Sequence, residues 1–393
     1  MNFNVNLVFL AGGKGNRIKK YTKKIPKPLL KLSKNEFLQD LINCNSKYNV
    51  DKIYILGGYK SYKFKKNYDN KYNNLLKTTL IEEDKPLDTG GALSQLKSTN
   101  SDVILINGDT FFDIDLNDFI KKSKLNRSEI TIALTKNYSI HSKKLSQLSL
   151  TKEGLIKISK NSNLKNAGIY FIKNKFLKSL TKKKKSLEDE ILPTKIVQRK
   201  VRGIFYKNKF LDIGSYEQLN KGKKIIPKIL KKPAIILDRD GVINYDYGYV
   251  NNFKKFKFKT GVLKALRYLI KKNVYIFIAT NQAGIGKRKF NEEDFFKLHK
   301  QLKLFLSKKK IYIDDIKYCP HHPKAKIKKY KIKCKCRKPG NKMITDLIDN
   351  WNINKKNTFM IGDKKTDMAA ALASKIKFQF VQKNLYNQVS NIF

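Results

Sequence analysis

Two short apolar runs, 6–10 and 234–237, constrain the fold of this chain more than any other feature of its sequence. Each run is apolar at nearly every position and not only at alternate ones, which is the pattern of a parallel strand buried on both faces. Gly12 and Gly13 follow the first run closely, and Asp238 follows the second directly. Two starts of this kind, one in each half of the chain, indicate two separate α/β domains.

Alternating helix and strand patterns follow each of these runs. The apolar spacing predicts helices over 35–48, 91–96, 261–271, 292–306 and 365–373, and strands over 52–56, 103–106, 274–279 and 358–361. Such alternation is typical of mostly parallel sheets covered by helices. We therefore predict an α/β fold with a Rossmann-like domain over 1–222 and a second α/β domain over 233–393. A basic stretch that contains proline, 223–232, is predicted to link them.

The composition allows real cores but carries an extreme charge. Of the 393 residues, 41% are hydrophobic, which argues against a disordered or fibrous chain. The formal net charge is +53, and 77 of the 85 basic residues are lysine. Lysine, asparagine and isoleucine have A/T-rich codons, so a biased genome accounts for much of this charge. A polyanion-binding protein is the alternative from another class, although the lysines are scattered and arginine, the better phosphate ligand, occurs only eight times.

Targeting signals are absent from the sequence pattern. No apolar run approaches the ~18 residues of a membrane span, and the first residues lack the basic segment of a signal peptide. Four cysteines in a chain of this length do not form a disulfide framework. We therefore expect a cytoplasmic protein whose partners are small molecules, with neither a membrane nor a dedicated nucleic acid among them.

A glycine-rich turn follows the first predicted strand. Gly12, Gly13 and Gly15 allow the backbone to approach a phosphate closely, and Arg17 offers a two-pronged donor for its oxygens. The turn matches neither a P-loop nor a dinucleotide fingerprint. Lys27, held between two prolines, suits an ammonium group that must stay on a phosphate.

Two aspartates in the same half are candidates for a cation site. Asp109 ends a predicted buried strand, at the edge where parallel sheets place ligands, and Asp212 follows another short apolar run. Two carboxylates together with triphosphate oxygens suit Mg²⁺, which keeps few protein ligands. A second glycine turn, Gly90–Gly91, opens a predicted helix nearby in the sequence.

Over roughly 5–220 this set resembles the sugar-1-phosphate nucleotidyltransferases. The resemblance rests on the glycine turn with Arg17, Pro26–Pro28, Asp109, and the segments 166–170, 186–188 and 212–214. It implies nucleotide binding by Gly12, Gly13, Arg17, Lys27 and Gly90, sugar binding by Asn166, Gly168 and Glu188, and Mg²⁺ binding by Asp109 and Asp212. It also implies that the sugar 1-phosphate itself attacks the α-phosphorus, so that no protein nucleophile is needed. Asp88 stands where many members of the family have glycine.

The second half contains a more specific motif than the glycine turn of the first half. Asp238 and Asp240 leave the end of a buried strand at positions i and i+2, which point the same way. One carboxylate can attack phosphorus while the other moves a proton. Further polar groups end later strands or precede a helix: Thr280, Asn281, Arg337, Lys338, Asp363 and Asp367.

These pieces resemble the four motifs of the haloacid-dehalogenase (HAD) phosphatases, in order. The resemblance implies that Asp238 forms an aspartyl-phosphate and that Asp240 acts first as general acid and then as general base. It implies Mg²⁺ held by Asp238, the backbone carbonyl of Asp240, and Asp363. Thr280 and Lys338 would grip the phosphoryl oxygens.

A cysteine cluster narrows the family. Cys319 and His321 are followed by Cys334 and Cys336, and three thiolates with one imidazole make a closed, tetrahedral structural zinc site. Unliganded surface thiols are the alternative. A zinc ion here would pin a loop poor in apolar residues and position the Arg337–Lys338 pair that follows it.

A zinc loop of this form resembles those of two HAD subfamilies, the heptose-1,7-bisphosphate 7-phosphatases and the histidinol phosphatases. The segments 244–250 and 280–285 resemble the heptose enzymes. Within that resemblance the substrate-binding residues are Asp246, Tyr247, Gly248, Tyr249, Asn281, Gln282, Ala283, Arg337 and Lys364.

The leading interpretation is a bifunctional enzyme with Mg²⁺ and Zn²⁺ as cofactors. The C-terminal domain would remove the 7-phosphate of a heptose bisphosphate, and the N-terminal domain would join heptose 1-phosphate to a nucleotide for surface polysaccharide synthesis. GTP is favoured, because the adenylyl branch of heptose activation uses a different domain with a His-x-Gly-His motif that this sequence lacks. The alternative is a hexose-1-phosphate nucleotidyltransferase fused to a histidinol-phosphatase-like or other sugar phosphatase.

Overall fold

In the computed structural model, which describes residues 4–136, 148–159 and 161–393, the chain divides into two units, Met1–Ile226 and Pro227–Phe393. Each unit contains its own sheet with helices attached to it, and this confirms the predicted α/β class. The two apolar runs form the strands Val5–Leu10 and Lys232–Leu237, and the last four residues of the second are fully buried.

The N-terminal unit is built on an eight-stranded sheet. Its strands and those of two small ribbons are β1 Val5–Leu10, β2 Ile53–Gly57, β3 Tyr72–Asn73, β4 Leu76–Glu82, β5 Asp102–Asn107, β6 Thr110–Phe112, β7 Ile130–Thr135, β8 Leu148–Leu150, β9 Ile156–Ile158, β10 Lys165–Ile172, β11 Val201–Phe205 and β12 Phe210–Asp212. The sheet order is β11-β7-β10-β5-β1-β2-β4-β3, with β3 and β10 antiparallel to their neighbours. The parallel strands β1, β2 and β5 therefore end at one edge.

Helices connect these strands. They are α1 Lys19–Thr22, α2 Phe37–Ser46, α3 Tyr62–Tyr68, α4 Asp88–Leu93, α5 Leu116–Leu125, α6 Asn174–Ser179, α7 Leu192–Val197 and α8 Tyr216–Leu230, with 3₁₀ turns at Asn16–Ile18, Lys27–Leu29 and Ser94–Thr99 and a π turn at Leu187–Ile191. One core cluster packs Val8 and Leu105 of the sheet against Leu93 and Leu187. Burial of these apolar side chains is the main term that stabilises the unit.

The segment predicted to link the domains, 223–232, is mostly helical. Helix α8 runs through it, and Lys232 already begins the next strand. Leu219, Ile226 and Leu230 lie on one helical face and are at most 5% exposed, so burial of that face holds the segment helical despite Pro227. The two units meet after Ile226, inside the predicted linker 223–232, whose basic, proline-containing composition conceals this apolar spacing.

The C-terminal unit is a five-stranded, fully parallel sheet. Its strands are β13 Lys232–Leu237, β14 Tyr275–Asn281, β15 Asp315–Cys319, β16 Ile353–Gly362 and β17 Lys377–Phe380, in the order β15-β14-β13-β16-β17. Because all five run the same way, the residues after β13, β14 and β16 meet at one edge.

The helices of this unit are α9 Val262–Lys271, α10 Ala283–Gly286, α11 Glu292–Ser307, α12 Lys342–Asn350, α13 Lys365–Ala373 and α14 Leu385–Ser390, with 3₁₀ turns at Phe253–Lys255 and Lys328–Tyr330. Helix α11 begins with a reciprocal cap, in which the side chain of Asn291 accepts from the Asp294 backbone and that of Asp294 accepts from the Asn291 backbone. None of the helices in the described ranges is both long and apolar enough to cross a membrane.

Candidate active sites

Three carboxylates meet at the carboxyl edge of the C-terminal sheet. Asp238 follows β13, Asp363 follows β16, and Asp367 lies in the first turn of α13. One carboxylate oxygen from each lies within 4.8 Å of the others. The parallel strand order, which places β13 beside β16, brings these residues together.

Lys338 supplies the positive charge inside this cluster. Its ammonium nitrogen lies 3.0 Å from Oδ1 of Asp238 and 2.7 Å from Oδ1 of Asp367, and it donates to the carbonyl of Ala279 at 2.7 Å. The Lys338 side chain is 1% exposed, so water screens these contacts weakly. Asn281 holds the backbone of Lys338 through two hydrogen bonds of 3.0 Å, one in each direction.

The electrostatics of the cluster suit a divalent cation. Burial raises the pKa of Asp238 to about 6, and the charge of Asp367 adds to that rise. Burial also raises the pKa of Asp363. Oδ1 of Asp363 is buried and has no hydrogen-bond partner within the described residues, and carboxylate oxygens are the ligands that Mg²⁺ prefers. These residues therefore fit the predicted Mg²⁺ site.

Gly241 lets the two strand ends approach each other. A Cβ atom at this position would lie 2.4 Å from Oδ2 of Asp363, and the residue has a φ of +86°. Only glycine combines that conformation with such a close approach.

Asp240 lies beside the cluster in a different environment. Its carboxylate accepts hydrogen bonds from the guanidinium of Arg239, from Nδ2 of Asn244 at 2.9 Å and from Nε2 of Gln282 at 2.9 Å. Burial alone would raise its pKa, but the charge of Arg239 and these hydrogen bonds hold the pKa of Asp240 below its ordinary value. The pKa of Asp238 is therefore raised and the pKa of Asp240 is lowered, although the two carboxylates are only two residues apart.

Gln282 and Thr280 are turned inward. Gln282 is 3% exposed, and its side-chain amide donates to Asp240 and to Oγ1 of Thr280, the latter at 2.8 Å. Gln282 was expected to contact substrate, but its amide is committed to these protein partners. Asn281 is similarly engaged with the Lys338 backbone.

The segment 244–250 covers the open side of this edge. Tyr247 and Tyr249 are 63% and 44% exposed, and Gly248 donates its N–H to Asp246 at 3.1 Å. Lys364 lies 3.5 Å from Asp246 and 3.7 Å from Asp363, so it bridges the segment and the acidic cluster. Ala283 begins the short helix α10. Of these predicted substrate-binding residues, Lys364 contacts both the segment and the acidic cluster.

The cysteine and histidine residues predicted to bind zinc are clustered. Cys319, His321, Cys334 and Cys336 each place a ligand atom within 4.8 Å of the others, with Sγ atoms 3.1 to 3.5 Å apart. A tetrahedral site with metal–sulfur bonds of about 2.3 Å has edges of about 3.8 Å, so the geometry and the donor set fit Zn²⁺. Hydrogen bonding with Cys319 lowers the pKa of Cys336 to about 5, which makes a thiolate available.

Arg337 is tied to the cysteine–histidine cluster. Its backbone N–H lies 3.4 Å from Sγ of Cys334, and its Nη1 donates to the carbonyl of His321 at 3.4 Å. The next residue is Lys338. The cluster is thereby connected to the charged centre through a single peptide unit.

The N-terminal unit contains a cavity of about 600 Å³ at the edge where β1, β2 and β5 end. Gly12, Gly13 and Lys27 line one part of it, and Asp109 and Glu188 line another. Lys27 donates to Oδ2 of Asp109 at 2.7 Å. The glycine turn, a cation and a carboxylate predicted to act on a nucleotide therefore share one cavity.

Asp109 and Asp212 lie close together, each buried. Residues 110 and 212 are paired across the β6–β12 ribbon, and Ile213 donates its N–H to the Asp109 carbonyl at 3.0 Å. Burial raises the pKa of Asp212 to about 7, and the charge of Asp109 contributes to that rise. Burial acts on Asp109 too, but Lys27 and then Arg17 hold its pKa below the ordinary value. Two buried carboxylates of unequal pKa with one nearby ammonium group fit a Mg²⁺ site.

The far side of this cavity is a hydrogen-bonded network around Glu188. Oε1 of Glu188 accepts from the Tyr170 hydroxyl at 3.0 Å, and Oε2 accepts from Thr89 at 2.9 Å. Asn166 donates to the Tyr170 hydroxyl at 2.8 Å and accepts from the N–H of Gly168. The register of β10 shifts between Asn166 and Tyr170, which marks a bulge in this strand. The network holds a carboxylate ready to accept hydrogen bonds from a polyhydroxylated ligand.

Gly90 packs closely against a neighbouring segment. Its N–H donates to the carbonyl of Lys185 at 2.8 Å, and a Cβ atom here would lie 2.4 Å from Cδ1 of Ile191. Its backbone donor is therefore paired within the protein. Asp88, where many relatives of the resembling family have glycine, adopts a φ of 60°.

Several site residues were not found by sequence reasoning. Thr89 and Tyr170 lie next to predicted motifs, but nothing in the local sequence indicates that both hold Glu188. Asp367 was recognised as part of a motif without its contact to Lys338. The sequence did point to Arg239 as a site residue, because it lies between two candidate catalytic aspartates in a chain with few arginines.

Comparisons with known proteins find relatives of both halves of the chain. A Nucleotidyl transferase family model matches residues 6–144, and a HAD-hydrolase-like model matches residues 335–390. The D-glycero-beta-D-manno-heptose-1,7-bisphosphate 7-phosphatase of Rhodopseudomonas palustris is 39% identical over 146 residues, which is 37% of this chain and 81% of that protein. The enzyme of the same name from Photorhabdus laumondii is 43% identical over 144 residues, 37% of this chain and 77% of that protein. The solved structure of HddC from Yersinia pseudotuberculosis aligns at 27% identity over 56% of this chain and 99% of its own, with a TM-score of 0.45.

The fold and the two sites define a nucleotidyltransferase domain followed by a HAD-like phosphatase domain, as the sequence predicted. Through its C-terminal unit, the chain belongs to the family of the D-glycero-beta-D-manno-heptose-1,7-bisphosphate 7-phosphatases.

Proposed function

We propose that the C-terminal unit hydrolyses the 7-phosphate of heptose 1,7-bisphosphate. The observation that carries this proposal is the buried contact of Lys338 with Asp238 at 3.0 Å, in a chain that belongs to the heptose-bisphosphate phosphatase family. A phosphoryl group placed at this contact meets a carboxylate nucleophile and a cation that neutralises its oxygens.

The residues act in two steps. A carboxylate oxygen of Asp238 attacks phosphorus, the bond from phosphorus to the sugar C7 oxygen breaks, and Asp240 gives a proton to that oxygen. The negative charge of the bound phosphate would raise the pKa of Asp240 against the effect of Arg239, so that this proton is held until the transfer. Water then attacks the aspartyl-phosphate and gives a proton to Asp240, the phosphorus–Asp238 bond breaks, and phosphate leaves. Lys338 and Thr280 hold the phosphoryl oxygens in both steps. When bound at Asp238, the Asp240 carbonyl and Asp363, Mg²⁺ supplies charge neutralisation.

The N-terminal unit is proposed to transfer a nucleotidyl group to heptose 1-phosphate. An oxygen of the sugar phosphate attacks the α-phosphorus of the triphosphate, and pyrophosphate leaves with the electron pair of the broken bond. Gly12, Gly13 and Lys27 line the cavity and would hold the phosphates, and Arg17, whose charge acts on Asp109, would assist them. Asp109 and Asp212 would hold Mg²⁺, and Glu188 would accept from the sugar hydroxyls.

The two reactions form a sequence. The phosphatase product, heptose 1-phosphate, is the acceptor of the nucleotidyl transfer, so one chain would convert a bisphosphate into a nucleotide-activated heptose for surface polysaccharide. We favour GTP as donor, on the resemblance to the guanylyl branch of heptose activation. A reducing cytoplasm suits the three thiols proposed to hold a structural Zn²⁺ with His321.

The decisive experiment supplies heptose 1,7-bisphosphate and GTP and measures phosphate, pyrophosphate and GDP-heptose. The intact chain is expected to make all three. Asp238→Asn should make none of them from the bisphosphate, because an amide cannot accept the phosphoryl group. The same variant given heptose 1-phosphate should still make GDP-heptose.

Two results would contradict the proposal. A wild-type chain that ignores the bisphosphate but hydrolyses histidinol phosphate would refute the assignment of substrate. An Asp238→Asn protein that releases phosphate from the bisphosphate at the wild-type rate would refute the assignment of the nucleophile.

A further inference from the structure

Arg239 is the largest fully buried side chain among the described residues. It lies between Asp238 and Asp240 in the sequence, and its guanidinium is 0% exposed. A buried cation is strongly unfavourable unless it is paired and hydrogen-bonded. A chain does not place such a group beside a reaction centre for packing alone, since an apolar side chain would fill the same space at lower cost.

The contacts of Arg239 join three parts of the phosphatase site. Nε and Nη2 both lie 2.8 to 3.2 Å from the two carboxylate oxygens of Asp240, which is a two-pronged pair. Nη2 also donates to the carbonyl of Val250 at 2.9 Å and to Oε1 of Gln282 at 3.3 Å. Val250 ends the segment that covers the site, and Gln282 follows β14.

Nη1 of Arg239 is buried without a hydrogen-bond partner among the described residues, and an aromatic ring lies beside the guanidinium. Its central carbon lies 5.9 Å from the centre of the Phe295 ring. His299 packs on the same ring, and its Nδ1–H donates to the Phe295 carbonyl at 2.8 Å. Burial and then the charge of Arg239 lower the pKa of His299 to about 3, so this imidazole is neutral and adds no second positive charge.

The geometry points to Arg239 as a positioning residue of the phosphatase, which fixes the Asp240 carboxylate and ties it to the base of the covering segment at Val250. This inference rests on the proposed phosphatase activity. The Asp240 side chain keeps 18% of its surface exposed while Arg239 occupies its buried side. A free aspartate samples several side-chain rotamers, whereas a general acid must stay within hydrogen-bond reach of the oxygen that it protonates.

A substitution to lysine tests the role of the two-pronged geometry. Arg239→Lys keeps the charge but cannot hold both oxygens of Asp240 together with Val250 and Gln282. We expect its kcat for heptose 1,7-bisphosphate to fall about 100-fold, as misplacement of a reacting group by ~1 Å does, with KM changed less than about threefold. Arg239→Met, which preserves volume without charge, should lose at least as much. The matched control Arg267→Lys, on an exposed face of α9, should match wild type.

An aryl phosphate separates positioning from general damage. Nitrophenolate leaves without a proton, so formation of the aspartyl-phosphate from p-nitrophenyl phosphate does not need Asp240, whereas its hydrolysis does. Rapid mixing with Arg239→Lys should therefore give a burst of about one nitrophenolate per chain at the wild-type rate, followed by slowed turnover. Equal losses of burst and turnover, or a kcat for the bisphosphate within threefold of wild type, would overturn the inference.

The same data distinguish a failure of the proposed function. A wild-type chain that gives the nitrophenolate burst but ignores heptose bisphosphate would refute the proposed substrate, and the burst comparison would still decide the role of Arg239. A wild-type chain without phosphatase activity on either compound would contradict both. Zinc content and thermal midpoint, measured for each variant, identify loss of the fold. If Arg239→Lys does not fold, the burst and turnover of Arg239→Met are compared with wild type instead.

Discussion

The ammonium nitrogen of Lys338 lies 3.0 Å from Oδ1 of Asp238, although the two residues are far apart in the sequence. The contact is buried on both sides, with side-chain exposures of 1% and 9%. The cation therefore offsets carboxylate charge where water cannot, and the same position suits the oxygens of a phosphoryl group that is being transferred.

Replacement of Lys338 by methionine tests this relationship. The variant should lose at least about 100-fold in kcat for phosphate release, the usual effect of removing one charged group that stabilises a transition state. Lys342→Met is the matched control, because Lys342 is exposed and pairs only with Asp346 one helical turn away. A Lys338→Met protein that retains more than a tenth of the wild-type kcat would show that this lysine does not act on phosphate.

The cysteine and histidine cluster predicts bound zinc. Elemental analysis of protein purified in metal-free buffer should find about one zinc per chain, and Cys334→Ser should lose it. The thermal midpoint of the C-terminal unit should then fall by at least about 5 °C, since a structural metal site contributes folding free energy. Cys44→Ser, remote in sequence from the cluster, should keep both the metal and the midpoint. Zinc retained in full by Cys334→Ser would refute the site.

The Lys27–Asp109 contact predicts an effect confined to one activity. Asp109→Asn removes a carboxylate proposed to hold Mg²⁺, so nucleotidyl transfer should fall at least about 100-fold while phosphate release stays unchanged. Asp113→Asn, an exposed aspartate at the other end of β6, is the control and should keep both activities. Equal loss of both activities in Asp109→Asn would show a structural defect instead.

Asp40 predicts a dependence of stability on pH in the N-terminal unit. Burial raises its pKa to about 6, despite hydrogen bonds from Ser33 at 2.6 Å and Asn35 at 3.1 Å. The native state therefore binds this proton more tightly than the unfolded state, so its contribution to stability is present below pH 3.8 and is lost as the pH rises through about 6.

The variant Asp40→Asn isolates that contribution. Between pH 4 and 7, the difference in unfolding free energy should change in favour of the variant by about 2 to 3 kcal/mol, because each tenfold difference in proton affinity between the two states corresponds to about 1.4 kcal/mol. The urea dependence of hydrogen exchange in α2 measures it. Asp84→Asn, at a side chain that is 90% exposed, should show no such change. A difference that is constant with pH would show that Asp40 titrates normally.

The predicted fold was confirmed where residues close together in the sequence determine the element that forms. Helix α11 was predicted over 292–306 and spans Glu292–Ser307, because its apolar spacing and its cap are both local. The helical conformation of the predicted linker was not foreseen, because Leu219, Ile226 and Leu230 form a helical face only when their spacing is weighed above the basic composition. The hydrogen bond of the Gly90 N–H was not foreseen either, because its partner, Lys185, comes from a distant segment.

The sequence by itself determined the two α/β domains, the nucleotidyltransferase and HAD families, and the residue types in each site. These follow from continuous apolar strands and from short motifs, whose chemistry is carried by neighbours along the chain. Only the tertiary structure decided which groups face each other: Lys338 between Asp238 and Asp367, Arg239 across both oxygens of Asp240, and Tyr170 with Thr89 on Glu188. Such contacts depend on strand order and on burial, which bring distant residues together and set the dielectric around them, and neither can be derived from spacing along the chain.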